Sequence, residues 1–323
     1  MDPRRAWAAR RGSFIEPRHA SKRKTAVLFS TILIDGLVYA AYLFIVAAGL
    51  SLIFGVMKIL NIAHGACYSF GAYSAATAVG IYFGHGLPVA LGFLVMALTA
   101  IAVGALIGVI LERGLLRHFY DRDEVTIVLV TYATFLILEQ MLIIIWGPGS
   151  LLAYQPLLAA GNVVVGDSII SNYDIGLILC AVVIAVVAQI ALSYSRVGRI
   201  LRAVIHDREM AAAFGINVER MFLVTFAIGA ALGALGGALM APKISVSLGI
   251  GVEVIVLAFA VVAIGGMGSI QGAMLGALIV GIARAAAVHL WPEVEMFVIY
   301  AVMALVLSVR PSGLFVRAQP RKI

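Results

Sequence analysis

The sequence predicts an all-α polytopic membrane protein of about eight transmembrane helices, one or two of them broken or re-entrant, with both termini cytoplasmic. Three observations carry this prediction. Hydrophobic residues make up 63% of the 323 residues and charged residues only 12%, a makeup that excludes an ordinary soluble domain. The apolar residues fall into nine runs, most of them close to the roughly 20 residues a helix needs to cross a bilayer. Basic residues are clustered: of 23 Lys and Arg, eight lie within 1–25, three within 112–124, five within 195–220 and four from Arg310 onward. The positive-inside rule assigns these four regions to the cytoplasm. A net charge of +7 distributed in this way is explained by topology, so it gives no reason to expect nucleic acid as a partner.

Taken in order, the basic tail 1–25 precedes a transmembrane domain over 26–309, and 310–323 forms a second cytoplasmic tail. The apolar runs span about 25–54, 59–83, 88–111, 125–146, 173–194, 221–241, 250–267, 270–290 and 296–309. Gly84, His85, Gly86 and Pro88 end the second run, and Gly147-Pro-Gly149 ends the fourth. The connection 147–172 holds no Lys or Arg and is expected outside, with a short strand or partial helix near 157–165. Three runs precede the loop at 112–124, whereas two crossings are required if both that loop and the N-terminus are inside. One run should therefore not cross completely.

The stretch 49–73, GLSLIFGVMKILNIAHGACYSFGAY, is assigned that role. It carries Lys58, Asn61 and His64 among glycines at 49, 55, 65 and 71. A helix broken at 61–65 is tolerable in a bilayer only where it is buried in protein or lines a wet cavity. A looser echo follows in Ser269-Ile-Gln-Gly272, preceded by Gly265-Gly-Met-Gly268. Glycine-interrupted segments in two halves of a transporter mark its pathway, so Asn61, His64, Tyr68, Ser269 and Gln271 are the candidate substrate-pathway residues.

Other polar residues carry weaker signals. His64 has one thiol, Cys67, at i+3 but no further His, Cys or carboxylate at i±3 or i±4, and Cys180 stands alone in an apolar run, so no metal site is expected. Asp35, Glu139, Gln140, Glu253 and Arg284 interrupt apolar runs, where a charge is costly enough to require pairing or function. Asp35 is expected near the inner end of its run and Glu253 near the outer end of its own, both reaching the interface. No P-loop, nucleophile elbow or zinc motif is present; the chain should hydrolyse nothing and bind no cofactor itself.

The connection 195–220 contains a short helix signature: Asp207 as a cap, Glu209 in the first turn and Gly215 as a terminator. Glu209, Ala211 and Gly215 have the spacing E-x-A-x-x-x-G. Together with Gly49-Leu-Ser-Leu-Ile-Phe-Gly-Val, Asn61-Ile-Ala-His-Gly65, Gly71-Ala-Tyr73, Gly215-Ile-Asn217, the glycine-rich run 223–237, Gly265-Gly-Met-Gly-Ser-Ile270 and Arg310-Pro-Ser-Gly313, this segment resembles the branched-chain amino acid type of ABC importer permease, in particular its LivH-like half. The resemblance covers most of 30–315. It implies an inner-membrane permease subunit that pairs with a related LivM-like permease, two cytoplasmic ATPases holding ATP and Mg, and a periplasmic binding protein. It also implies that Arg202, Asp207, Glu209, Ala211 and Gly215 form the segment that couples to the ATPases. Branched-chain amino acids are the first substrate class; urea, short amides or aromatic acids are the alternatives. A stand-alone secondary transporter or channel, relaying ions through Asp35, Glu139, Glu253 and Arg284, is the competing class.

Overall fold

A computed structural model describes residues 18–165 and 168–315. All nine apolar runs form helices. The chain begins with α1 (Arg18–Met57), α2 (His64–Gly84), α3 (Val89–Gly114) and α4 (Glu124–Trp146). A short α5 (Gln155–Ala160) and an antiparallel hairpin, β1 (Asn162–Val165) with β2 (Ser168–Ser171), fill the connection where a partial helix or strand was expected. Next come α6 (Asn172–Tyr194), α7 (Arg196–His206), α8 (Arg208–Ala213), α9 (Val218–Met240), α10 (Ile250–Gly265), α11 (Ile270–Leu290) and α12 (Glu295–Val309).

Among the described residues, seven segments are long and apolar enough to cross a membrane, against the eight expected. The two apolar runs left out are α2 and α10, the helices that adjoin the two glycine-interrupted stretches. Helix α10 has only 16 residues. Helix α2 is instead rich in Gly, Ala, Ser and Tyr, and most of its residues are buried. A helix enclosed by protein need not match lipid, and small residues let its neighbours come close. A Cβ on Gly71 would lie 2.0 Å from the Ala234 carbonyl, and one on Gly237 would lie 2.1 Å from that of Tyr68. Helix α3 approaches α9 in the same way through Gly104 and Gly108. The core thus centres on α2 and α9, while large apolar side chains of α4, α6 and α12, such as Ile144, Val187 and Leu305, face outward.

Helix directions correct one expectation. The Met57 end of α1 meets α7 at Leu201 and Ile205. The helix is unbroken over 40 residues, and the 22 residues from Met57 back to Asp35 span roughly 33 Å at about 1.5 Å per residue, enough to reach the opposite face. There Asp35 pairs with His289, near the end of α11, at 2.7 Å. The described C-terminal end returns to the α7 face, where the Leu314 and Phe315 N–H groups donate to the Ile264 and Gly265 carbonyls, both at 2.9 Å. The two described ends therefore lie on opposite faces, not on one. Asp35 correspondingly sits at the face away from α7. Three segments before the 112–124 loop are then consistent: α1 comes from the far face, α2 heads back toward it, and α3 returns.

Candidate functional site

The interruption after α1 is built from a few polar contacts. Lys58 takes a left-handed backbone, φ 58°, which ends the helix; its N–H still reaches the Phe54 carbonyl at 2.9 Å. Residues 58–63 then turn back along α1. Freed backbone groups need partners at this depth, and Thr131 of α4 supplies them. Its Oγ1 accepts the Ile62 N–H at 3.3 Å, and its hydroxyl faces the carbonyls of Leu60 (3.3 Å) and Val128 (3.0 Å).

His64 opens α2 with its ring fully buried. The ring occupies space left by two glycines: a Cβ on Gly49 would meet Cε1 at 3.0 Å, and one on Gly233 would meet it at 2.8 Å. Nε2 lies 3.0 Å from the Val46 carbonyl. A carbonyl only accepts, so Nε2 carries the proton. Nδ1 has no partner, and neither does either amide atom of Asn61, which is fully buried. Tyr68 is buried one turn further along α2.

Ser269 and Gln271 occupy a different place. Ser269 caps α11, its Oγ accepting the Gly272 N–H at 3.0 Å. Both residues line an open cavity of about 280 Å³, which Ser51, Gln189, Ser193 and Arg202 also line. Gln271 donates to Gln189 at 3.3 Å, and Gln189 donates to Ser193 at 3.1 Å. The structure therefore brings Ser269 and Gln271 together with Arg202, while Asn61, His64 and Tyr68 sit in the interior outside the cavity wall. The interruptions do meet elsewhere: a Cβ on Gly55 would lie 3.1 Å from the Gly268 carbonyl. Sequence reasoning missed Gln189 and Ser193, although two polar residues four apart in an apolar run share one helix face.

The residues expected to couple to the ATPases, Arg202, Asp207, Glu209, Ala211 and Gly215, fall on α7, on α8 and at the two ends of α8. Ser195 caps α7 through the Gly198 N–H at 2.9 Å, and Leu201 and Val204 are buried while Arg199 and Arg202 are exposed, Arg202 at the open cavity. Arg202 donates to the carbonyls of Leu192 and Ser193 at the end of α6. Asp207 accepts the Met210 N–H at 2.8 Å and so starts α8. Gly215, at φ 81°, ends it. Ala211 faces inward, whereas Glu209, Met210 and Phe214 are exposed, Phe214 by 80%.

The start of α8 is anchored to the rest of the bundle. The Arg208 guanidinium lies 5.1 Å from the Phe222 ring centre and 5.8 Å from that of Tyr120, within cation–π range. Tyr120 donates to Glu112 at 2.6 Å. Burial, and then this carboxylate partner, pushes the Tyr120 phenol well above its ordinary range. Arg117 pairs with Glu219 at 2.7 Å. Two of the remaining membrane charges have partners too. Arg284 pairs with Glu295 and stacks 3.9 Å from the Tyr39 ring centre. Glu139 accepts from the Ser69 hydroxyl at 2.9 Å and the Gly249 N–H at 3.2 Å. Glu253 is exposed.

The chain is 33% identical to the high-affinity branched-chain amino acid transport system permease protein LivH of Escherichia coli K12 over 294 residues, 86% of this chain and 92% of that one. It is 29% identical to the corresponding permease protein BraD of Pseudomonas aeruginosa, over 90% of this chain and 97% of that one. Among solved structures, PsaBC from Streptococcus pneumoniae in complex with Fab aligns over 89% of this chain and 97% of that one, with 14% identity and a TM-score of 0.49. The pattern of the family described as branched-chain amino acid transport system, permease component, matches residues 32–307, and the chain belongs to that family.

Proposed function

We propose that this chain is the inner-membrane permease subunit of an ATP-driven importer that moves branched-chain amino acids, or closely related small polar solutes, delivered by a periplasmic binding protein. The family match over 32–307 carries the reading. The exposed Met210 and Phe214 on the Asp207-capped α8 support it, because apolar side chains on a polar loop suit a groove of another protein. In this reading a related permease completes the pathway and two cytoplasmic ATPases grip α8. ATP-driven closure of the ATPases moves α7 and α8, and the bundle switches between two access states. Asn61, His64 and Tyr68 then line the buried part of the route, with Ser269 and Gln271 nearer its exit.

The partnered charges support the importer over a stand-alone ion-driven transporter. Asp35, Arg284 and Lys243 are paired with His289, Glu295 and Asp174, and Glu139 is held by Ser69 and Gly249. A proton or ion relay needs groups open to the path.

The test is reconstitution of the chain with its neighbouring subunits in proteoliposomes. ATP-dependent uptake should require all of them, and Glu209→Lys or Gly215→Val should lower uptake at least about tenfold while membrane insertion persists. Substrate flux driven by an ion gradient through this chain alone would overturn the assignment. Competition of leucine uptake by urea, short amides or aromatic acids distinguishes the substrate classes.

A further inference from the structure

We propose that the cavity beside α7 binds a small aliphatic carboxylate entering from the α7 face, and that the bound solute holds α7 against the bundle. The cavity has about 280 Å³, just below the roughly 300–1,000 Å³ of drug-sized sites, and so suits a small solute. Its wall comes from four places that must shift relative to one another if α7 moves: the end of α1, the end of α6, α7 itself and the 268–271 turn.

The chemistry of the wall selects the solute. Arg202 supplies the cationic group. Its described partners are two backbone carbonyls, and among the described residues no carboxylate forms an ion pair with it. A guanidinium has five N–H donors in a fixed fork that matches a carboxylate. Ser51 is fully buried in the same wall, and its hydroxyl has no partner, so a donor or acceptor on the solute would satisfy it. Leu52, Val56, Leu201 and Ile205 line the rest and suit a branched aliphatic chain. A cation, an apolar lining and an unpartnered hydroxyl together favour an aliphatic acid over an amine or a sugar.

A solute bridging Arg202 on α7 to Ser51 on α1 links the coupling segment to the bundle, and binding to that arrangement stabilises it by mass action. Its consequence for transport, a brake set by solute accumulated on the α7 side, rests on the proposed function; binding by the chain itself does not.

The experiment uses the full chain in detergent micelles, titrated calorimetrically with 4-methyl-2-oxopentanoate and, separately, with isopentylamine. One saturable site is expected for the acid and none for the amine. Arg202→Gln and Ser51→Val should each weaken the acid at least tenfold, about 1.4 kcal/mol, with melting temperatures recorded to show that both variants fold. Gln271→Leu provides a third wall change should either fail to fold. Hydrogen exchange across 196–206 should slow when the acid is bound. Absence of saturable acid binding, equal binding of the amine, unchanged affinity in the folded variants, or unchanged exchange would overturn the proposal. Loss of ATP-driven uptake in the reconstituted importer strikes the functional reading instead and leaves these measurements intact.

Discussion

Asn61 is buried in the interruption between α1 and α2 with both of its amide atoms unpartnered. Each buried polar group without a hydrogen bond costs about 1–3 kcal/mol, so this residue weakens the fold in the state described. Leucine has nearly the same size and no such groups. Asn61→Leu should therefore melt at the same temperature as the parent or higher, while ATP-driven uptake falls at least about tenfold, because a polar group kept at a stability cost is expected to serve the route. Fluorescence-detected melting in detergent and uptake in proteoliposomes read the two effects separately. A lower melting temperature would show that Asn61 is held by partners, and unchanged uptake would reduce the interruption to architecture. His64 differs in kind. One ring nitrogen bonds to the Val46 carbonyl and the ring fills the space beside Gly49 and Gly233, so its removal should cost stability as well as transport.

At the scale of elements, the bundle depends on how closely α2 approaches α9. A Cβ on Gly71 would fall 2.0 Å from a backbone oxygen that cannot rotate away. Gly71→Ala should lower the melting temperature and the folded yield, at a cost of about 1–3 kcal/mol for overpacking. Gly80→Ala is the internal control. No atom lies within 4 Å of a Cβ there, and in an exposed helical position alanine should stabilise by about 0.5–1 kcal/mol. Equal melting temperatures for the two variants would mean that α2 and α9 are not packed backbone to backbone.

The same helices show what was legible in the sequence. Nine apolar runs became nine helices because span length and apolar content are local properties. An interruption was visible because Asn61 and Gly65 stand where lipid tolerates neither a free amide nor an unpaired backbone, but it was expected at 61–65, whereas the chain breaks at 58–63 and His64 and Gly65 already belong to α2. The cap at Asp207 and the stop at Gly215 were visible for a similar reason, since both depend on side-chain chemistry within a few residues. The cavity at Arg202 was not visible. It forms where α1, α6, α7 and the 268–271 turn converge, and no periodicity within one element reports such a meeting. The anchoring of Arg208 between Tyr120 and Phe222 was hidden likewise, because its partners lie far away in the chain.

For the whole molecule, the direction of α1 decides how the bundle is oriented. Counting the basic residues of 1–25 as a cytoplasmic tail left one apolar run too many before the 112–124 loop. In the structure residues 18–24 are the first turns of α1 itself, and the packing of Gly36 against Gly281 with Gly55 against Gly268 makes α1 antiparallel to α11. The basic start of α1 thus lies opposite α7. If α7 and the loops 112–124 and 310–315 are cytoplasmic, as ATPase coupling requires, this start is outside and departs from the positive-inside rule. That rule is a bias over all loops, and a helix fixed by its packing can oppose it. Cysteines placed at Ser21 and Glu293, in a background without Cys67 and Cys180, should react with a membrane-impermeant maleimide from the outer side of intact spheroplasts. Cysteines at Arg199 and Arg310 should react only after permeabilisation. Labelling of Ser21→Cys together with Arg199→Cys would reverse the direction of α1. Because α1 also forms one wall of the Arg202 cavity, that result would remove the cavity from the α7 face.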